Sequence, residues 1–321
     1  MRILLKRRRL VMKRIGLVVI LSVLTIMLVA CGDKNSADTN NGEKETVNIT
    51  HELGETEVQK NPEKVVVFDF GILDTLDKLG VNVVGVPKGN IPSYLEKYES
   101  DEYENVGSLK EPDFEKIAQI DPDLIIISGR QSDLYEQLQE LGDTIFLGVD
   151  TSRYMESFKE NTEIIGEIFE KETEVADAIA EIEETINQVK EKAEAANEKA
   201  LIILANDDKI SAYGASSRFG IIHDVFGVPA VDEKIEVSTH GMNVNFEYVA
   251  KNDPDILYVI DRSAAIGEES NAKKIVENKY TEKTKAYQND RIYYLHPDFW
   301  YLSGGGLISV SEMAKEIEDS L

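Results

Sequence analysis

Residues 114–130, FEKIAQIDPDLIIISGR, recur without a gap 132 positions later as residues 246–262, FEYVAKNDPDILYVIDR. Both copies keep Phe-Glu, an aliphatic residue, Ala, Asp-Pro-Asp, an apolar run and a final arginine. Each copy predicts the same unit. An amphipathic helix stops before Pro122 or Pro254, because proline disfavours the helical conformation in the residue before it and cannot continue a helix. A short buried strand follows, 124–127 in one copy and 256–260 in the other. The arginine then falls just past the C-terminal end of the strand, where open α/β sheets place their ligands. Two such units predict two α/β lobes, with Arg130 and Arg262 facing each other across a cleft from equivalent strand ends.

The segments around the repeats fit this frame. A small hairpin is expected at 47–50 and 57–59 around Gly54. Strands follow at 65–68 and 83–86, with a helix at 71–79 between them. After the first repeat come a helix near 134–141 and a strand at 144–147, an alternation that argues for a parallel α/β lobe over residues 46–152. Residues 154–199 differ in kind, with no proline and one glycine, Gly166. Val175, Ile179, Ile182, Ile186, Val189, Ala193 and Ala196 recur at spacings of four and three, one narrow apolar stripe on a helix. A helix over 172–197 is about 39 Å long at 1.5 Å per residue. A coiled-coil seam and a helix joining two lobes both use such a stripe. The second is favoured because strand-forming sequence resumes at 200–205. The linking segment is therefore 153–199 and the second lobe 200–321. That lobe has strands at 201–204, 210–213, 230–231 and 292–295, and helices at 219–226 and 308–320. A rigid linking helix predicts little hinge closure.

The chain carries a formal charge of −25. Residues 1–31 hold seven Lys/Arg and no acid, which leaves 28 basic against 60 acidic residues, or −32, in the remainder. Such a surface disfavours nucleic acid, whose binding rests on phosphate neutralisation. After Cys31 there are only five arginines, Arg130, Arg153, Arg218, Arg262 and Arg291, against 23 lysines. Arginine offers a planar, bidentate fork that lysine lacks. Two of the five end the repeated units; ordinary surface or ion-paired arginines are the alternative, and the matched placement of two weighs against it.

Residues 1–14 are basic and 15–30 are an unbroken apolar or small-residue run. Leu28-Val29-Ala30-Cys31 follows, and then a polar stretch. This is the order of a secretory signal. It resembles a bacterial lipobox, in which the cysteine carries lipid and begins the mature protein. Residues 32–45, rich in Asn, Asp, Lys, Gly and Ser, read as a flexible tether. Cys31 is the only cysteine, so no disulfide framework supports the fold.

No P-loop, G-x-S-x-G elbow, H-E-x-x-H or cysteine metal motif is present. Ser303-Gly304-Gly305-Gly306 before the last helix reads either as an anion-holding helix N-terminus or as a tight turn, the turn being favoured. In Tyr213-Gly214-Ala215-Ser216-Ser217-Arg218 an arginine falls at an expected helix start, against the dipole's preference. Arg218 and the free amides there are candidates for one shared anion. His240 lies in a polar loop before the second repeat. Trp300, the only tryptophan, adjoins Tyr301 in another loop, suited to a flat ligand or to anchoring the core.

Lipobox, two lobes and one long helix together resemble the substrate-binding lipoproteins of bacterial iron-siderophore ABC importers. The stretch from Glu111 to Ile125, Glu-Pro-Asp-Phe-Glu through Asp-Pro-Asp-Leu-Ile, is typical of that family, and the match is closest to its catecholate, petrobactin-type subgroup. The resemblance implies two Rossmann-like lobes on a helical backbone, no enzymatic activity and no intrinsic cofactor. It implies a monomer lipid-anchored on the outer face of the membrane, which hands a ferric catecholate to an ABC permease. Ligand arginines fall on Arg130, Arg218 and Arg262, with Tyr213 and Trp300 beside them. An iron-contacting pair, for siderophores that leave coordination sites open, falls on His240 and Tyr301. Permease docking falls on Glu111. The repeat puts Asn243 at the second docking position, where an acid is usual, with Glu236 and Glu247 nearby. Haem or cobalamin binding is the alternative within the class. A secreted enzyme or a coiled-coil adhesin fits less well: no nucleophile–base pairing is visible, and an adhesin needs the 175–196 stripe exposed.

Overall fold

A computed structural model describes residues 45–269 and 271–321. The signal segment, Cys31 and nearly all of the 32–45 tether lie outside the described residues.

A hairpin, β1 Thr46–His51 and β2 Gly54–Gln59, precedes the first lobe. That lobe holds β3 Val65–Val67, β4 Gly85–Val86, β5 Glu104–Asn105, β6 Leu124–Ile127 and β7 Thr144–Phe146 in the order β5-β4-β3-β6-β7, all parallel. The second holds β8 Ala200–Asn206, β9 Lys209–Tyr213, β10 Met242–Val244, β11 Ile256–Asp261 and β12 Ile292–Leu295 in the order β10-β9-β8-β11-β12. Numbered within each lobe, both orders are 3-2-1-4-5, the doubly wound arrangement, so the internal repeat extends to topology. The second sheet is mixed: β9 runs antiparallel to both β8 and β10. The two-residue turn at Asp207-Asp208 makes this a hairpin, which a parallel connection of that length cannot be. Strand β10 is three residues long, too brief for its alternation to announce it, and Val231 forms no strand, Ala230 contributing only an isolated bridge to Ala200.

The two copies of the repeat fold alike at their start. Helices Phe114–Ile120 and Phe246–Asn252 are capped by the side chains of Asp113 and Asn245, and both end on an aspartate in the left-handed region, Asp121 and Asp253. They diverge after the strand. The first copy leaves its sheet at Ile127 and turns through Ser128 and Gly129. The second continues in strand to Asp261, whose side chain caps a short helix that starts at Arg262.

Residues 154–199 form two helices, Tyr154–Phe169 and Glu172–Ala196, parted where Glu170 takes a left-handed conformation. The stripe from Val175 to Ala193 is buried and faces the closing helix Leu307–Ser320, with Lys192 paired to Glu318 at 3.1 Å. Ala196 is exposed and does not extend it. The seam is thus covered by the chain's own last helix, which removes the coiled-coil adhesin. One hydrophobic core runs through both lobes, including Val67 and Leu73 of the first, Ile182 and Val189 of the linker and Ile202, Tyr258 and Val310 of the second. Smaller clusters cover the outer face of each sheet.

Candidate functional site

The C-terminal ends of β3, β6 and β7 open onto a cavity of about 620 Å³ shared with the second lobe. Asp69 follows β3, Ser128 to Arg130 follow β6, and Phe146 to Val149 follow β7, so the first lobe presents its topological switch point to the cavity. Lys110 comes from the loop before the first repeat. Arg218, Thr239, His240, Trp300, Tyr301 and residues 303–305 complete the wall.

The cations dominate. Lys110, Arg130 and Arg218 line one space whose only carboxylate among the described residues is Asp69, itself engaged by the amides of Gly71 and Ile72 at 2.8 and 3.0 Å. Arg130 is exposed. Arg218 is half-buried, and its pKa is lowered, first by loss of water around the guanidinium and then by the like charge of Arg130. A protein with a net charge of −25 has here gathered uncompensated positive charge, which an anion would relieve.

The structure brings together Arg130, Arg218, His240, Trp300 and Tyr301. It does not bring Arg262 or Tyr213 to the cavity wall. Arg262 begins the helix capped by Asp261, and its Nη1 donates to Asn206 Oδ1 at 3.1 Å, across the second lobe's own switch point. The two arginines of the repeat are therefore equivalent in sequence and topology but not in what they meet, because the first strand ends at Ile127 whereas the second runs on to Asp261, which caps a helix that starts at Arg262. Tyr213 is buried edge-on against Phe219, with ring centroids 4.6 Å apart. Trp300 is only 3% exposed. It lies in a π-helical turn, Asp298–Ser303, rather than a loop, and its indole N–H donates to Glu316 at 2.6 Å. It anchors the core with one edge on the cavity.

One further expectation is corrected and one open choice is decided. Arg218 precedes a helix of one turn, Ile221–Asp224, rather than a longer helix from 219, and the nearby Ser216 amide is taken by Asp224 at 2.5 Å and is not free for an anion. The glycine run is not an anion site for a ligand, because the first lobe fills it. Asp74 Oδ1 accepts from Ile308 N at 3.1 Å and Oδ2 from Ser309 N at 3.0 Å, while Thr75 Oγ1 accepts from Leu307 N at 3.1 Å. Asp74 is wholly buried, and burial pushes its carboxyl up to about 7 against the opposing hydrogen bonds of Ser309 and Tyr94. Gly306 has no room for a side chain: a Cβ there would overlap Asp74 Oδ1 and Gly71 O. The glycines thus permit close approach of the lobes.

Lys110 was missed because one lysine among 23 in a polar loop carries no mark in the sequence. Tyr154, whose buried hydroxyl has no hydrogen-bond partner among the described residues, also borders the cavity and reads in the sequence as an ordinary helix residue. Glu111 is exposed on a loop that Gly107, at φ +100°, allows to close tightly. Its counterpart Asn243 is exposed in β10, paired in register with Ser211. Glu236 is exposed, and Glu247 accepts from Tyr280 Oη at 3.1 Å.

Two doubly wound lobes on a helical backbone, with a basic cavity between them, define a binding protein of the α/β class. The chain belongs to the periplasmic binding protein family, whose model matches residues 65–299. It is 51% identical over 315 residues to the petrobactin-binding protein YclQ of Bacillus subtilis, covering 97% of this chain and 99% of that protein. The crystal structure of YclQ matches with a TM-score of 0.85 and 54% identity, over 86% of this chain and 99% of that one. The ferric-anguibactin-binding protein FatB of Vibrio anguillarum is 30% identical over 275 residues, 84% of this chain and 85% of that protein. The periplasmic catecholate-siderophore binding protein VctP of Vibrio cholerae matches with a TM-score of 0.82 and 32% identity, over 86% of this chain and all of that one. The family and these relatives are substrate-binding proteins, not enzymes.

Proposed function

We propose that the chain is the extracytoplasmic receptor for a ferric catecholate siderophore, of petrobactin or bis-catecholate type, and delivers it to an ABC importer. The observation that carries this reading is the convergence of Lys110, Arg130 and Arg218 on one cavity. A ferric tris-catecholate is triply negative, and guanidinium and ammonium groups neutralise it while donating charge-assisted hydrogen bonds to its oxygens. The cavity falls within the roughly 300–1,000 Å³ of small-molecule sites. Like charges at Arg130 and Arg218 are held together at a cost that the anionic cargo removes. The names of the relatives, binding proteins for petrobactin, anguibactin and catecholate siderophores, support the same class of cargo.

His240 and Tyr301, an imidazole and a phenol on the same wall, are the proposed iron donors when the siderophore leaves coordination positions free. Arg262 is assigned a supporting role through Asn206. Cys31 is the proposed lipid-bearing residue that holds the protein on the outer face of the membrane, and Glu111 the permease contact of the first lobe. Cys31→Ala is expected to release the protein from the membrane fraction.

Titration against ferric catecholate, ferric hydroxamate and haem tests the cargo, with Trp300 fluorescence as the readout. Quenching that saturates with the catecholate alone is the expected result. Tighter binding of haem or hydroxamate overturns the assignment.

A further inference from the structure

Tyr301 belongs to a turn fixed at several points. Gly304 N–H closes the π-helical turn on Phe299 O at 2.8 Å. Asp298 accepts from the amide and hydroxyl of Ser93 at 2.7 and 2.6 Å. Trp300 is tied to Glu316, and Tyr94 Oη lies 2.6 Å from Ser303 Oγ, a hydrogen bond. These contacts hold residues 298–300, 303 and 304, and none of them touches Tyr301.

Arg218 touches it twice. Its Nη2 donates to the Tyr301 carbonyl at 2.6 Å, and its guanidinium carbon lies 4.3 Å from the centroid of the Tyr301 ring. The same guanidinium lies 5.3 Å from the Phe219 ring, which is buried and backed by Tyr213. The cation is thus held against two aromatic rings and a carbonyl, a contact set that uses its planarity and a directed N–H. A lysine ammonium supplies the charge but neither the stacking face nor the fixed fork. A donor atom must be held within about 0.5 Å of its productive place to act on a bound metal.

We infer that Arg218 is the positioning residue for Tyr301: by clamping the ring and carbonyl of that residue it sets where the phenol oxygen meets the cargo's iron. Its role therefore goes beyond neutralising the anion, and it selects siderophores that leave iron coordination incomplete. The inference rests on the proposed role of Tyr301 as an iron donor. Tyr213 and Phe219 enter the site as the wall behind the clamp, which gives a place to the buried Tyr213.

The test compares two probes, the ferric complexes of a synthetic bis-catecholamide and a tris-catecholamide, on the wild type, Arg218→Lys, Phe219→Leu, Arg130→Lys and Tyr301→Phe. Arg218→Lys is expected to lose at least about ten-fold more affinity for the bis-catecholamide than for the tris-catecholamide, a differential loss of about 1.4 kcal/mol. Its visible charge-transfer band with the bis-catecholamide should move toward that of Tyr301→Phe. Phe219→Leu keeps the charge, removes one wall of the clamp and shifts the affinity ratio in the same direction. Arg130→Lys, which leaves the clamp intact, weakens both complexes alike. An unchanged ratio and a wild-type band in both Arg218→Lys and Phe219→Leu overturn the inference while leaving the receptor reading intact. A wild type that takes up neither complex overturns the receptor reading and the inference with it.

Discussion

Replacing Gly306 by alanine probes the contact that joins the lobes. A methyl group there meets Asp74 Oδ1 and Gly71 O, neither of which is the free end of a flexible side chain. Asp74 is wholly buried and its carboxylate caps the closing helix, while Gly71 lies in the first turn of the helix Phe70–Lys78. Overpacking of this kind costs about 1–3 kcal/mol. Displacing Asp74 also loosens its bonds to the Ile308 and Ser309 amides, at about 1.5 kcal/mol each, where the neutral and charged ranges meet. The expected loss is about 4 kcal/mol or more. For a body of this size about 1 kcal/mol shifts the melting midpoint by ~2 °C, so the midpoint should fall by about 8 °C. Gly129→Ala is the control: nothing lies within 4 Å of a Cβ there, and its effect should stay within about 0.5 kcal/mol. Thermal unfolding followed by circular dichroism and by Trp300 fluorescence measures both variants. A Gly306→Ala protein melting within about 2 °C of the wild type would falsify the close-approach account.

Other outcomes follow from the same geometry. Lys110→Ala and Arg130→Ala should each weaken the ferric catecholate by about 1.5–3 kcal/mol, tens-fold or more, whereas Arg262→Ala, off the cavity wall, should cost much less; an Arg262→Ala loss equal to that of Arg130→Ala in the fluorescence titration refutes the placement. Burial holds the folded-state pKa of Asp74 above its unfolded value of about 4, so the folded state binds its proton more tightly and this group's contribution to stability falls as pH rises from about 4 to about 7. Urea unfolding should therefore show the wild type's advantage over Asp74→Asn shrinking across that interval, and an advantage that grows contradicts it. Ile182→Ala empties a buried position on the linking helix and should cost about 2–5 kcal/mol in the same assay. A near-neutral result there would return the seam to an exposed, partner-binding role.

Much of the architecture was legible in the residues because it is written in local periodicity. The Asp-Pro-Asp repeat, the stripe from Val175 to Ala193 and the apolar runs at 65–68, 124–127, 200–205 and 256–260 each name an element through spacing and turn chemistry. The repeat went further than expected and reached the strand order of both sheets. The short elements were less legible: β5 has two residues and β10 three, too few for alternation to name them, and their place comes from neighbouring strands.

The site divides along the same line. Scarcity and placement along the chain singled out Arg130, Arg218 and Trp300 beside Tyr301, and the resemblance to siderophore-binding lipoproteins added His240; all five reach one cavity. Only the tertiary structure decided that Lys110 joins them and Arg262 does not. An earlier strand end in the first copy of the repeat and one capping aspartate in the second turn equivalent arginines toward different surroundings. Likewise the glycine run at 304–306 read as a turn or an anion cradle, and only the packed lobes supply the buried carboxylate that occupies it. The physical reason is common to both: spacing along the chain records the torsional and hydrophobic preferences of each segment, whereas the partner of a charged group is chosen by whatever the other segments bring within hydrogen-bonding distance.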